Sequence, residues 1–356
     1  MALVENADYR AVVLTVLIGA AGAVVAFYAG FPGPFLIGPA LFVMIAGLCG
    51  LRLTIPPLLR NACFVLVGIS MGAAVTPEVL VAARRWPFSF VMVIVAVVVL
   101  LYASAFVLER FFGYDRKTAV LAASPGHLSF IISLGVDSRS DVATIAIVQS
   151  VRVMALTLMV PPILELSGLA APGPSGPQIP MSLPVLAVIV AAAGLLGAIF
   201  ARLRFPAALL LGGVAASALP HVSGVISGEV PLWLMNPVYM LLGCLIGTRF
   251  SGVPVRAMKS AFVAGGVITL VATVLATAFA VLVSFVTGVS FNAVLIAFAP
   301  GGLETMAAMA VMMHVDTTYV GSHHVLRLLV LSFLMPYALG RIPRQDGEEG
   351  EEQRSG

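Results

Sequence analysis

Ala299-Pro300-Gly301-Gly302-Leu303-Glu304-Thr305 is a proline–glycine break carrying a carboxylate in the middle of an otherwise apolar run. A second break, Ser124-Pro125-Gly126-His127-Leu128-Ser129, lies 175 residues upstream in an equally apolar setting. In water a helix would simply end there. In hydrocarbon, exposed peptide groups are so costly that irregular backbone survives at membrane depth only where protein buries it or a wet cavity reaches it. Interrupted segments at matching points of two halves are therefore the first candidates for a binding site.

Composition sets the solvent. Hydrophobic residues make up 60% of the 356-residue chain and charged residues 10%, against about a quarter charged in soluble proteins. The mean hydropathy is +1.09. Apolar runs recur from Ala11 to Leu339, several long enough to cross a hydrocarbon core of roughly 30 Å. The reading is an all-α polytopic membrane protein. No small-residue cleavage site follows the first run, so that run is expected to stay as a span. Cys49, Cys63 and Cys244 all fall inside expected spans without metal-ligand spacing, which reads as buried structural thiols. The net charge of +3, with no basic run interleaved with aromatics, leaves no footprint for nucleic acid. The Val-rich run from Pro87 to Leu108 is expected to be the most lipid-exposed span.

The order of features repeats. Gly68 and Gly72 match Gly243 and Gly247, Arg84 matches Lys259, Pro125-Gly126 matches Pro300-Gly301, Arg152 matches Arg327 and Pro161 matches Pro336, all at an offset of 175. Phe31-Pro32 matches Phe205-Pro206 at 174. One offset predicts an internal duplication: a first membrane repeat over 1–166, a Gly/Pro linker over 167–182, a second repeat over 183–343 and a polar, disordered tail over 344–356. The small-residue spacings at Gly68/Gly72 and Gly243/Gly247 permit close helix packing, either within one subunit or in a homodimer.

Loop charge addresses topology. If every apolar run spans, each copy crosses six times and Lys/Arg residues divide evenly. If each broken segment dips in and returns, each copy crosses five times. Arg10, Arg52, Arg60, Arg110, Arg116, Lys117, Arg139, Arg202, Arg204, Arg249, Arg256, Lys259, Arg341 and Arg344 then share one side, with only Arg84 and Arg85 opposite. That bias favours two inverted repeats of about five transmembrane helices, each with a Pro/Gly-interrupted re-entrant segment, and both termini cytoplasmic. Crossing interrupted helices are the alternative.

Each break frees backbone N–H groups at the start of a half-helix, where the dipole favours an anion. Pro125, Gly126, His127 and Ser129 from the first copy and Pro300, Gly301, Gly302, Glu304 and Thr305 from the second are the candidates. Arg152 and Arg327 lie in apolar spans, each three residues after a polar side chain, Gln149 or His324, on the same helix face. A guanidinium there must face protein or water. Two roles stand side by side: bidentate binding of a substrate carboxylate, or structural bonds to carbonyls of the neighbouring break, with Glu304 as a further partner. Glu304 favours a helix N-terminus or serves a coupling proton or sodium ion. Asp137 and Asp316, after the two breaks, are expected to be loop caps. Adjacent His323 and His324 point about 100° apart on a helix and do not share a metal. No cofactor is expected, since no nucleotide loop or nucleophile elbow is present.

Assembled in this way, FPGPFLIGPAL at Phe31–Leu41, its echo FPAALLLGG at Phe205–Gly213, the SPGHLSF and APGGLETMAAMA breaks and the HxxR step at His324–Arg327 resemble the bacterial AbrB-type membrane duplication family. The resemblance spans both copies. It implies a bacterial inner-membrane location and distant kinship with cation/proton antiporters and bile-acid symporters that use inverted repeats. The chain departs from the family pattern at His127, where a second Gly is usual, and at Gln149, where His is usual. Family members are labelled ammonia monooxygenases or regulators of gene expression; the absent metal constellation argues against the first label. The expected function is secondary transport of a small solute, an organic anion, by alternating access. The alternative is a membrane sensor that regulates expression indirectly and moves nothing.

Overall fold

A computed structural model of the chain describes residues 9–75, 81, 83–126, 128–166, 179–203, 205–254 and 259–340. Among these residues, fourteen α-helices fall into two series of seven. The first comprises α1 (Tyr9–Tyr28), α2 (Pro34–Leu48), α3 (Pro57–Ala73), α4 (Pro87–Phe112), α5 (Arg116–Ala123), α6 (Leu128–Asp137) and α7 (Val142–Leu166). The second comprises α8 (Leu183–Arg202), α9 (Ala208–Val222), α10 (Leu232–Gly247), α11 (Lys259–Thr287), α12 (Phe291–Phe298), α13 (Leu303–Met312) and α14 (Thr317–Gly340). Six of them, α1, α4, α7, α8, α11 and α14, are long and apolar enough to cross a bilayer. The molecule is a largely membrane-spanning helical bundle.

Helix contacts come in symmetric pairs. A Cβ on Gly68 of α3 would strike the Leu210 carbonyl of α9, and one on Gly243 of α10 would strike the Leu36 carbonyl of α2. One turn on, Gly72 lies against Val214 and Ser217, while Gly247 lies against Ala40 and Val43. Gly22 meets Gly38 between α1 and α2, as Gly197 meets Gly212 between α8 and α9. Each contact has its counterpart about 175 residues away, the pattern a duplication produces. The small-residue faces are thus used inside one chain, where dispersion and close backbone approach hold helices together in the absence of a hydrophobic driving force. They are not free for a dimer.

α4 is less lipid-exposed than its valines imply: 44% of its most apolar window is buried, against 22% for α8. Ser89, Ala96, Ser104 and Ala105 give α4 a small-residue stripe that packs inward. Cys63 and Cys244 are buried, but Cys49 caps the end of α2 and is exposed. The last residues of the expected linker are paired: Met181 N–H donates to Glu229 O at 2.8 Å and Glu229 N–H to Ile179 O at 3.0 Å. His127, Arg204, Arg256, Arg341, Arg344, linker residues 167–178 and the tail lie outside the described residues.

The interrupted segments are positioned by the helices that follow them. Thr118 Oγ1, in the first turn of α5, accepts from the Asp141 N–H at 3.2 Å. Gly135, near the end of α6, faces Leu121 and Ile145. Asp141, not Asp137, caps α7, accepting from Thr144 N–H at 3.0 Å and from its hydroxyl at 2.6 Å. Partial burial pushes the Asp141 carboxyl up, but these bonds outweigh it and hold it below the usual range. Asp316 caps α14 equivalently, accepting from Tyr319 N–H at 2.9 Å. Asp137 closes α6 instead.

Candidate functional site

Proline at each break ends a half-helix and leaves its last carbonyls without intrahelical partners. Arginines from the following helices satisfy them. Arg152 of α7 donates from Nη1 to Ala123 O at 3.1 Å and from Nη2 to Ser124 O at 3.0 Å. Arg327 of α14 donates from Nη1 to Ala299 O and from Nη2 to Gly301 O, both at 2.6 Å. Gln149 adds a bond from Nε2 to Leu121 O at 3.0 Å. Both guanidiniums are 2% exposed, and the planar fork suits two carbonyls at once. Of the two roles open from sequence, bonds to the carbonyls of the neighbouring break are the ones both forks make here. Both Nε–H groups are buried without a partner among the described residues.

The breaks meet at one cavity of about 390 Å³. Pro125, Gly126, Leu128, Gln149 and Arg152 line it from the first series of helices, and Gly301, Gly302, Leu303 and Glu304 from the second. Not all candidates arrive there. Pro300 and Thr305 are buried off its wall, and Arg327 is turned to its carbonyls while Leu328 takes the lining position. His324 is fully buried, its Nδ1 donating to Val320 O at 3.0 Å and its Nε2 unpartnered. Ser129 lies in the first turn of α6, and only its backbone is described. A helix face, not a repeat position, decides which of these side chains reaches the space.

Two charged cavity residues were missed by sequence reasoning. Arg60, at the start of α3, and Arg249, just beyond α10, line the space together with Phe64 and Thr248. Both had been counted as loop charges. The Glu304 carboxylate acts electrostatically on Arg249. Their signal in the sequence was only a charge at the edge of an apolar run, which loop residues share. With Arg60, Arg152 and Arg249 against Glu304, the wall carries an excess of positive charge suited to an anion.

A second pair of adjoining cavities, about 270 Å³ each, lies at the far ends of α3 and α13 and shares Ser70, Glu229, Val311 and His314. Ser70, Ala74, Met235 and Tyr239 line it. Their counterparts at the 175-residue offset are Leu245, Arg249, Arg60 and Phe64, all on the wall of the central cavity. Elsewhere, Ser89 of α4 hydrogen-bonds both Tyr319 OH and, at 2.7 Å, His323 Nε2. His323 Nδ1 lies 2.8 Å from Tyr319 O. This polar cluster in the apolar core also went unread in the sequence.

The family model described as "Transition state regulatory protein AbrB" matches residues 35–342. The chain belongs to the AbrB family. Two relatives align along most of their length. One is the uncharacterized protein YhjN of Bacillus subtilis (strain 168), 29% identical over 82% of this chain and 80% of its own. The other, from Escherichia coli (strain K12), carries the name "Putative regulator AbrB" and is 26% identical over 86% of this chain and 88% of its own. Among the described residues, no group of three or more His, Cys, Asp or Glu side chains is placed to hold a metal ion.

Proposed function

We propose that this AbrB-family chain binds a small organic anion in its central cavity and thereby regulates gene expression indirectly, as a membrane sensor. The observation that carries the reading is the convergence of Arg60, Arg152 and Arg249, with Glu304 as the one acid, on the space where two helix breaks meet. Ligand-free, the breaks are held by Arg152 and Arg327. An anion can engage the unpartnered Arg152 Nε–H and shift the α5–α6 junction. The name of the Escherichia coli relative supports a regulatory role; the signal would pass to a separate partner. The test is thermal stabilisation of purified protein by a panel of small carboxylates, alongside expression profiling of cells carrying wild-type or Arg249→Ala protein. Stabilisation lost in Arg249→Ala, with a matching change in transcripts, is expected. An Arg249→Ala strain indistinguishable from wild type in both assays sinks the reading.

Transport of the same anion is the second reading. It is supported by the far cavities, whose Ser70, Ala74, Met235 and Tyr239 are repeat counterparts of central-cavity residues. In this reading the two copies are inverted five-span repeats, α5–α6 and α12–α13 are re-entrant hairpins, and both termini face the cytoplasm of a bacterial inner membrane. Thr118 beside Asp141 and Gly135 beside Leu121 support the first hairpin. Glu304 would take the coupling proton or sodium ion. Kinship with antiporter and symporter carriers and assembly as a homodimer belong to this reading too. Uptake into proteoliposomes that Glu304→Gln abolishes would favour it; binding without uptake leaves the sensor.

A further inference from the structure

Leu303 lines two cavities. It opens α13, is 3% exposed, and lines both the central cavity and a groove of about 680 Å³ between α3, α4, α9 and α14. The groove wall is almost wholly apolar, with Met71, Val214 and Val325 among its residues, and its rim includes Ile94 and Leu329, which are exposed at 39% and 40% on a surface that a bilayer would cover. One leucine, following two glycines, is thus common to the walls of an arginine-lined polar space and an aliphatic one.

Resting on the anion-binding reading above, we infer that the ligand is an amphipathic anion: a carboxylate head among Arg60, Arg152 and Arg249, and a saturated tail that displaces Leu303 and lies in the groove. A polar solute would leave the groove to lipid, and a lipid without an acidic head would leave the arginines unmatched. A fatty-acid-like molecule satisfies both walls. Gly301 and Gly302, immediately before Leu303, give the break room to let that side chain swing.

The test is calorimetric titration of the full chain in nanodiscs with acetate, butyrate, hexanoate, octanoate and decanoate, corrected for partition into empty discs. Affinity is expected to rise about threefold to fourfold per added methylene. A Cβ on Gly321 would meet only the flexible end of Met71, so Gly321→Phe should fill the groove, leaving butyrate binding unchanged and abolishing the chain-length dependence. Leu211→Trp, from the opposite wall, serves if Gly321→Phe fails to fold. Arg249→Ala should weaken every acid at least tenfold. Butyrate binding with no gain from longer tails overturns the inference and spares the anion site. Absence of binding by any acid overturns both. Equal chain-length dependence in wild type and Arg249→Ala, without loss of affinity, means lipid-like partition and also overturns the inference.

Discussion

Arg327→Met is the substitution that most directly tests how the second break is held. In the native chain its guanidinium makes two bonds of 2.6 Å to the carbonyls of Ala299 and Gly301. Bonds to a charged group contribute about 1.5–3 kcal/mol each, and the Gly301 carbonyl left unpaired costs about 1–3 kcal/mol, whereas Ala299 O still accepts from Gly301 N–H at 2.8 Å. Removing the guanidinium also recovers its own desolvation cost, so the net loss falls near the lower end of the roughly 3–5 kcal/mol seen when a buried charged contact is broken. At about 2 °C per kcal/mol for a chain of this size, a loss of about 3 kcal/mol lowers the unfolding midpoint by about 6 °C. Arg152→Met should cost about half as much, because its bonds are longer, at 3.0 and 3.1 Å. Gln149 also keeps its own bond to the first break. The assay is built into the protein: Cys63 and Cys244 are 2% and 0% exposed, so a thiol-reactive dye reports their release on heating once exposed Cys49 is replaced by Ser. A midpoint unchanged in Arg327→Met, or a larger fall in Arg152→Met, would refute the view that these arginines clamp the breaks.

Further expectations follow from packing, the core cluster and charge. Gly68→Val and Gly243→Val should each reduce the yield of folded protein to a similar extent, since both side chains would enter a facing backbone, whereas Gly194→Val and Gly266→Val, with open space around them, should be tolerated; monodispersity on size exclusion reads this out. Ser89→Val should lower the unfolding midpoint by about 4–12 °C, because Tyr319 OH and His323 Nε2 each lose a buried partner at about 1–3 kcal/mol. Asp141 is held below the usual carboxylate range, so its stabilising contribution is present above the unfolded-chain value of about 3.9 and is lost as pH falls through the lower folded-state value. Asp141→Asn should flatten that acid limb in a plot of midpoint against pH, leaving the limb's shape intact if the cap is not formed.

Much of this architecture was legible in the chain itself. Hydropathy fixes a membrane protein because no other solvent tolerates such a surface, and the recurrence of Gly68/Gly72 as Gly243/Gly247 and of Pro125 as Pro300 points to the paired helix contacts, since small residues and prolines act locally and keep their spacing. The positions of the breaks were equally plain, as proline cannot continue a helix whatever surrounds it. Which residues face the space between the breaks depends on tertiary packing. Arg152 and Arg327 read alike in sequence, yet Arg152 borders the cavity and Arg327 does not. Arg60 and Arg249 read as loop charges, yet the crossing of α3 and α10 brings them onto its wall. Periodicity tells which side of a helix is apolar; only the angle at which helices cross decides what that side meets.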